Sequence, residues 1–105
     1  MTSAVVRANE AYFRLLLETE KQQAKLLLFN ATKYQVNALS EISHNLLNCD
    51  VPTKVRRLVN KIKTGLKRLA KASVSIKSKL RLLKKHADVL IKILTLIKET
   101  IMLLL

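Results

Sequence analysis

The sequence predicts an all-α fold, a small helical bundle of about four helices with a long heptad-patterned C-terminal helix. Three observations carry that prediction. The 105 residues include one Gly and one Pro, which leaves almost no turn punctuation. Half of the residues are hydrophobic but only 4% are aromatic, and Leu dominates, a composition that favours helices over strands. The apolar positions recur at steps of three and four, the period of a helix face. The length suits a single domain, 1–105, with a modest core, and excludes a two-lobed enzyme with a deep cleft.

Residues 4–29 contain no Gly or Pro and read as one long helix, with Thr2 or Ser3 as cap. Val5, Ala8, Tyr12, Leu15, Leu16 and Thr19 form its inward stripe, which resumes at residues 26–29 after the polar stretch 21–23. Asn30 and Ala31 interrupt it. Thr32 with Gln35 three residues later then has the form of a capping box, in which each side chain satisfies an orphan backbone donor. A second helix runs from there to about Leu47, burying Val36, Leu39, Ile42, Leu46 and Leu47. Asn48, Cys49 and Asp50 before Val51-Pro52 stop it, because the residue preceding proline is pushed out of the helical region.

Thr53 is the expected cap of a third helix over 54–72, with Val55, Leu58, Val59, Ile62, Leu66 and Leu69 inward and Lys54, Arg57, Lys61, Arg68 and Lys71 outward. Gly65 inside it costs about 1 kcal/mol relative to Ala, which points to a close crossing or a kink. After a break at 72–75, with Ser73 or Ser75 as cap, the last helix carries the cleanest pattern in the chain. Ile76, Leu80, Leu83, Ala87, Leu90, Leu94, Ile97, Ile101 and Leu104 alternate steps of four and three, a heptad seam that asks for a partner helix and offers a surface for a second copy. Its other face is basic as far as Lys85. Beyond Asp88, residues Val89, Ile91, Ile93, Leu96, Met102, Leu103 and Leu105 make it apolar on nearly all sides, so that stretch needs the core, an oligomer or lipid to cover it.

Charge is the main functional signal. Twenty Lys and Arg oppose seven Asp and Glu, a formal charge of +13. Residues 1–50 are balanced, and from Val51 onward only Asp88 and Glu99 oppose the cations. A soluble surface mixes signs and needs a net charge of only about 2–8 on a small domain. The imbalance therefore points to a polyanion, with nucleic acid the leading partner and DNA ahead of RNA. Lys54, Arg56, Arg57, Lys61, Lys63, Lys67, Arg68, Lys71, Lys77, Lys79, Arg81, Lys84 and Lys85 are the candidate phosphate contacts. No zinc-finger spacing, helix-turn-helix signature or aromatic stacking motif accompanies them, so backbone-level, sequence-nonspecific binding is expected.

The remaining motifs are weaker. Residues 89–105 are slightly short of the roughly 20 needed to span a bilayer and are interrupted by Lys92, Lys98 and Glu99. An interfacial, membrane-active helix or a cement for acidic capsid surfaces is the alternative reading of that stretch, set against ordinary core packing. Glu41 and His44 form a single Glu-x-x-His step, whereas a di-metal bundle needs two such steps and further carboxylates. Ser40 and His44 share a helix face without an acid or an oxyanion donor, and His86 reads as a solvated neighbour of Lys85. Neither catalysis nor a metal or other cofactor is expected. Cys49 has no partner for an internal disulfide, which favours a reducing, intracellular setting, and Met1 opens onto polar and charged residues rather than a secretory leader.

Several pieces of the middle of the chain are similar to a known group. Residues 35–47 (QVNALSEISHNLL), Val51-Pro52, Leu66-Lys67-Arg68-Leu69-Ala70, Ser73-Val74-Ser75-Ile76-Lys77 and the following 80–85 resemble short basic proteins of the adintoviruses and polintons (Mavericks), adenovirus-like double-stranded DNA viruses and elements of animals. The resemblance covers about half of the chain. It implies a virion-associated protein packaged with the genome and located in the virion and the host nucleus. Members of that group often place a Gly before the Val-Pro step, where Asn48, Cys49 and Asp50 stand here. They also often carry a Gly pair, resembling a viral protease site, after the basic segment. Here the chain runs on as Lys85-His86-Ala87-Asp88.

Overall fold

The capping box at Thr32 forms as its spacing predicts. The Gln35 backbone N–H donates to Thr32 Oγ1 at 3.2 Å and the Thr32 N–H donates to Gln35 Oε1 at 2.9 Å. It starts the longest helix among the described residues, α4 (Lys33–Asn48). The structure, a computed structural model, describes residues 4–98, apart from the side chain of Val5. The expected caps Thr2 and Ser3, the seam positions Ile101 and Leu104, and Glu99, Met102, Leu103 and Leu105 lie outside the described residues.

Those residues form α1 (Ala4–Ala8), α2 (Glu10–Glu18), α3 (Lys21–Phe29), α4, α5 (Thr53–Lys61), α6 (Lys63–Ala70), α7 (Ile76–Lys85) and α8 (Ala87–Leu96), with no strand among them. The all-helical class stands. The four-helix bundle does not, because three of the four expected helices are subdivided. The first bends at Asn9 and is interrupted by two extended residues, Thr19 and Glu20. The third bends at Ile62 (φ −120°, ψ 24°) and the last at His86 (φ −107°, ψ 15°). A straight helix over 54–72 would run about 27–29 Å at 1.5 Å per residue. That is about the full width of the molecule, which measures 29 × 27 × 27 Å. The bends instead send consecutive helices to different neighbours: α5 packs on α8 and α6 on α4, while α7 meets α3 and α4 and α8 meets α3 and α5.

Helix α4 is the centre of the assembly. Its most extensive contact is with α6, and α1 and α7 also pack on it. Val36, Leu39, Ile42 and Leu46 are buried as expected, and Ala38, Ser40 and Ser43 are buried with them. The two serine hydroxyls donate to the carbonyls one turn back, Ser40 to Val36 at 2.9 Å and Ser43 to Leu39 at 2.8 Å, so these small polar groups enter the interior satisfied. At the C-terminal end of α4 the Arg56 guanidinium donates to the Leu46 and Cys49 carbonyls, at 3.3 and 2.9 Å. Pro52 rather than Thr53 occupies the cap position of α5, and Thr53 is its first residue. Ser75, one of the two expected caps of α7, accepts from the Ser78 N–H at 3.2 Å.

In the N-terminal half the inward set differs from the single-stripe reading. Phe13 is fully enclosed, whereas Ala8 is exposed and Leu15 is 55% exposed. Tyr12 packs edge-on to Phe13, with ring centroids 5.5 Å apart, and its hydroxyl donates to the Leu27 carbonyl at 3.0 Å, which ties α2 to α3. Burial pushes the Tyr12 phenol above its ordinary range.

The heptad seam is turned inward. Leu83, Ala87, Leu90 and Leu94 are buried and Ile76, Leu80 and Ile97 are partly covered, all within one chain. On α7 the buried positions are Lys79, Leu82 and Leu83, a stripe rotated from the expected one. On α8, Ile93 is also buried, Val89 and Ile91 are partly covered, and Leu96 is 48% exposed. The described part of the apolar stretch is therefore covered largely by the protein itself, and no helix among the described residues is long and apolar enough to cross a membrane.

Candidate nucleic-acid interface

Helices α5, α6 and α7 carry most of the net charge because each is amphipathic in the same sense, with Leu, Val and Ile inward and Lys and Arg outward. Eleven of the thirteen candidate cations are exposed: Lys54, Arg57 and Lys61 on α5, Lys63, Lys67 and Arg68 on α6, Lys71 just after it, and Lys77, Arg81, Lys84 and Lys85 on α7. Among the described residues the ion pairs lie elsewhere. Arg14 binds Glu10 at 2.8 Å, and Lys25 and Lys21 both reach Asp88, at 2.7 and 3.3 Å. Lys25 first and Lys21 second hold the Asp88 carboxyl below the usual carboxylate range. The one described acid of the C-terminal half beyond Val51 is thus engaged by N-terminal lysines, and among the described residues no carboxylate bridges to a cation between Lys54 and Lys85. Lys84 sits 5.7 Å from the centroid of the Phe29 ring, a cation–π contact that leaves its charge unneutralised.

Two candidates are placed otherwise than expected. Arg56 is half-buried and bonds to the carbonyls at the C-terminal end of α4, where a cation also meets the negative end of the helix dipole. Its neighbour Arg57 faces solvent, because successive side chains on a helix diverge by about 100°. Lys79 is only 4% exposed, and its Nζ donates to Ser40 Oγ at 3.0 Å with no carboxylate beside it. Neither is positioned as a free phosphate contact.

Burial lowers the Lys79 pKa from its ordinary 10.5. Between that depressed value and 10.5 the unfolded chain holds a proton that the folded chain lacks, so stability rises with pH across this window and is lost as pH falls through the folded value. Lys79→Met keeps the stem and removes the buried amine. It is expected to raise stability by about 1 kcal/mol or more at neutral pH and to abolish that alkaline gain. Denaturation midpoints over a pH series measure both effects, and an unchanged alkaline slope would disprove the assignment.

Four of the outward cations, Lys61, Lys63, Arg68 and Lys85, line one cleft where α5 ends, α6 begins and the α7–α8 bend lies against them. Gly65 makes this closeness possible. Its φ is not positive, so it is not required for an unusual backbone conformation. A Cβ there would lie 2.5 Å from His86 Nε2 and 2.6 Å from His86 Cδ2. Burial, and next the charge of Lys85, depress the His86 pKa below 6.5, which favours a neutral ring at physiological pH. The close crossing expected at Gly65 is therefore present, and His86 is packed rather than simply solvated.

Ser40, His44 and Glu41 do not assemble a reactive group. Ser40 Oγ is engaged by Val36 and Lys79, and His44 is exposed, with Asn48 Nδ2 lying 3.3 Å from its Nδ1. Among the described residues no three His, Cys, Asp or Glu side chains come together as a metal site. Cys49 is exposed at the C-terminal cap of α4. No protein-family model, curated protein or solved structure matches this chain.

Proposed function

We propose that this chain is a non-catalytic, sequence-nonspecific nucleic-acid-binding protein, acting in the packaging of a double-stranded DNA genome within a virion. One observation carries the reading: eleven exposed cations, ten on three consecutive helices and Lys71 just after α6, have no carboxylate partner among the described residues, whose ion pairs lie on other elements. Unpaired lysines and arginines on rigid helices repel one another, and a polyphosphate relieves that repulsion while releasing its own counterions. The resemblance of residues 35–85 to basic proteins of adintoviruses and polintons supplies the genome-packaging setting. Lys outnumbers Arg among these cations, which favours contact with the phosphate backbone over bidentate reading of bases.

The test is a fluorescence titration of random-sequence DNA duplexes at several salt concentrations, with anionic vesicles as competitor. The expected result is similar affinity for unrelated duplexes, a slope of log K against log salt of about −5 or steeper, and little vesicle leakage. Weak DNA binding with strong leakage would replace this reading with a membrane-active one. Binding to neither, with retention on an acidic polypeptide, would favour a capsid-cementing role.

A further inference from the structure

Lys61, Lys63, Arg68 and Lys85 line one cleft of about 190 Å³, together with Gly65 and His86. No acidic side chain lines it, and none of the four cations is ion-paired among the described residues. Three elements bring them there. Lys61 ends α5, Lys63 and Arg68 follow the bend at Ile62, and Lys85 precedes the bend at His86. Both bends are anchored by buried side chains, Ile62 and Leu66 on one side and Leu83 and Ala87 on the other. The backbone therefore holds four like charges around a concavity, and their mutual repulsion is not relieved by the protein itself. The cleft also lies at the start of α6, where the cap residue Ile62 offers no side-chain acceptor to the first N–H groups. A flat basic face attracts a polyanion diffusely. A concave cluster held by the fold favours one tetrahedral oxyanion at a fixed place.

We infer that this cleft seats one phosphate group of the bound nucleic acid, fixing the register of the backbone on α5–α7, with Arg68 supplying the forked contact and Lys61, Lys63 and Lys85 the surrounding charge. The inference deepens the nucleic-acid reading and rests on it. The recognised chemistry is a phosphate oxyanion, which a phosphodiester or free inorganic phosphate can present, and the test separates the two.

The chain has two histidines, of which His86 lines the cleft and His44 lies on α4 outside its lining. The imidazole proton resonances of the intact protein therefore report the cleft against an internal reference. Duplex DNA, and more weakly inorganic phosphate, is expected to shift the His86 resonance saturably while His44 stays in place. The Arg68→Gln/Lys85→Gln double variant should keep its helical circular dichroism and thermal midpoint. It should need about tenfold or more phosphate for the same His86 shift. DNA that binds by fluorescence without moving His86, or that moves both histidines alike, would overturn the cleft and leave the nucleic-acid reading intact. A saturable shift with phosphate in a protein that does not bind duplex would overturn the assignment to nucleic acid and leave a free-phosphate site. Unchanged phosphate response in the double variant would remove Arg68 and Lys85 from it.

Discussion

Replacing Arg57, Lys61, Arg68 and Lys71 together by glutamine is expected to weaken binding to duplex DNA about a thousandfold at roughly 0.1 M salt. The same variant is expected to lose about 3–4 units of salt slope. All four side chains are exposed and none is ion-paired among the described residues, so their removal strips charge without exposing a buried partner. Each phosphate contact contributes a slope of about 0.9, which at that salt concentration is close to a factor of eight in affinity per contact. Glutamine keeps much of each side chain and a good helix propensity, so helicity and the denaturation midpoint should hold. Arg14→Gln is the matched control. Arg14 is already neutralised by Glu10 one turn away, and its loss should change DNA affinity by less than about twofold. Retained binding with an unaltered slope in the fourfold variant would remove α5 and α6 from the interface.

Phe13→Ala is expected to cost about 3–5 kcal/mol, against a total stability of about 5–15 kcal/mol for a domain of this size. Phe13 has no exposed surface and meets Tyr12 edge-on, so the change loses both the transfer energy of the ring and that contact, and leaves a cavity that α2 and α3 can only partly close. The denaturant midpoint should fall sharply at constant m, with a thermal midpoint lowered by roughly 15–30 °C. Leu15→Ala, two residues away on the same helix, should stay within about 0.5 kcal/mol because that side chain is 55% exposed. Equal costs at the two positions would contradict the packing of α2.

That contrast shows where the sequence was readable and where it was not. The helical class, the Thr32 capping box, the stop before Pro52 and the inward set Val55, Leu58, Val59, Ile62, Leu66 and Leu69 all rest on local chemistry or on a strong period, and each is present in the fold. The bends at Asn9, Ile62 and His86 were hidden because a one-residue bend inserts no residue and disturbs no spacing, so the three-and-four pattern passes through it unbroken. They accompany tertiary packing, in which the segments on either side of a bend meet different helices. Without the break near Asn9, a single stripe over 4–29 selects Leu15 and passes over Phe13. Within the candidate interface, eleven of the thirteen cations were legible as outward from amphipathic periodicity. Lys79 was not, since its long aliphatic stem packs like a leucine while its symbol in a pattern reads as charge. Arg56 was obscured by its twin Arg57, and only the carbonyls at the end of α4 distinguish them.

What a side chain at position 65 would meet comes from twenty-one residues away, from the ring of His86, and not from the local backbone. The two positions consequently share a single volume. Enlarging residue 65 requires the His86 ring to turn aside or residue 86 to shrink, and a larger residue 65 in turn narrows what position 86 can hold. The effect of a substitution at either position therefore depends on which residue already occupies the other.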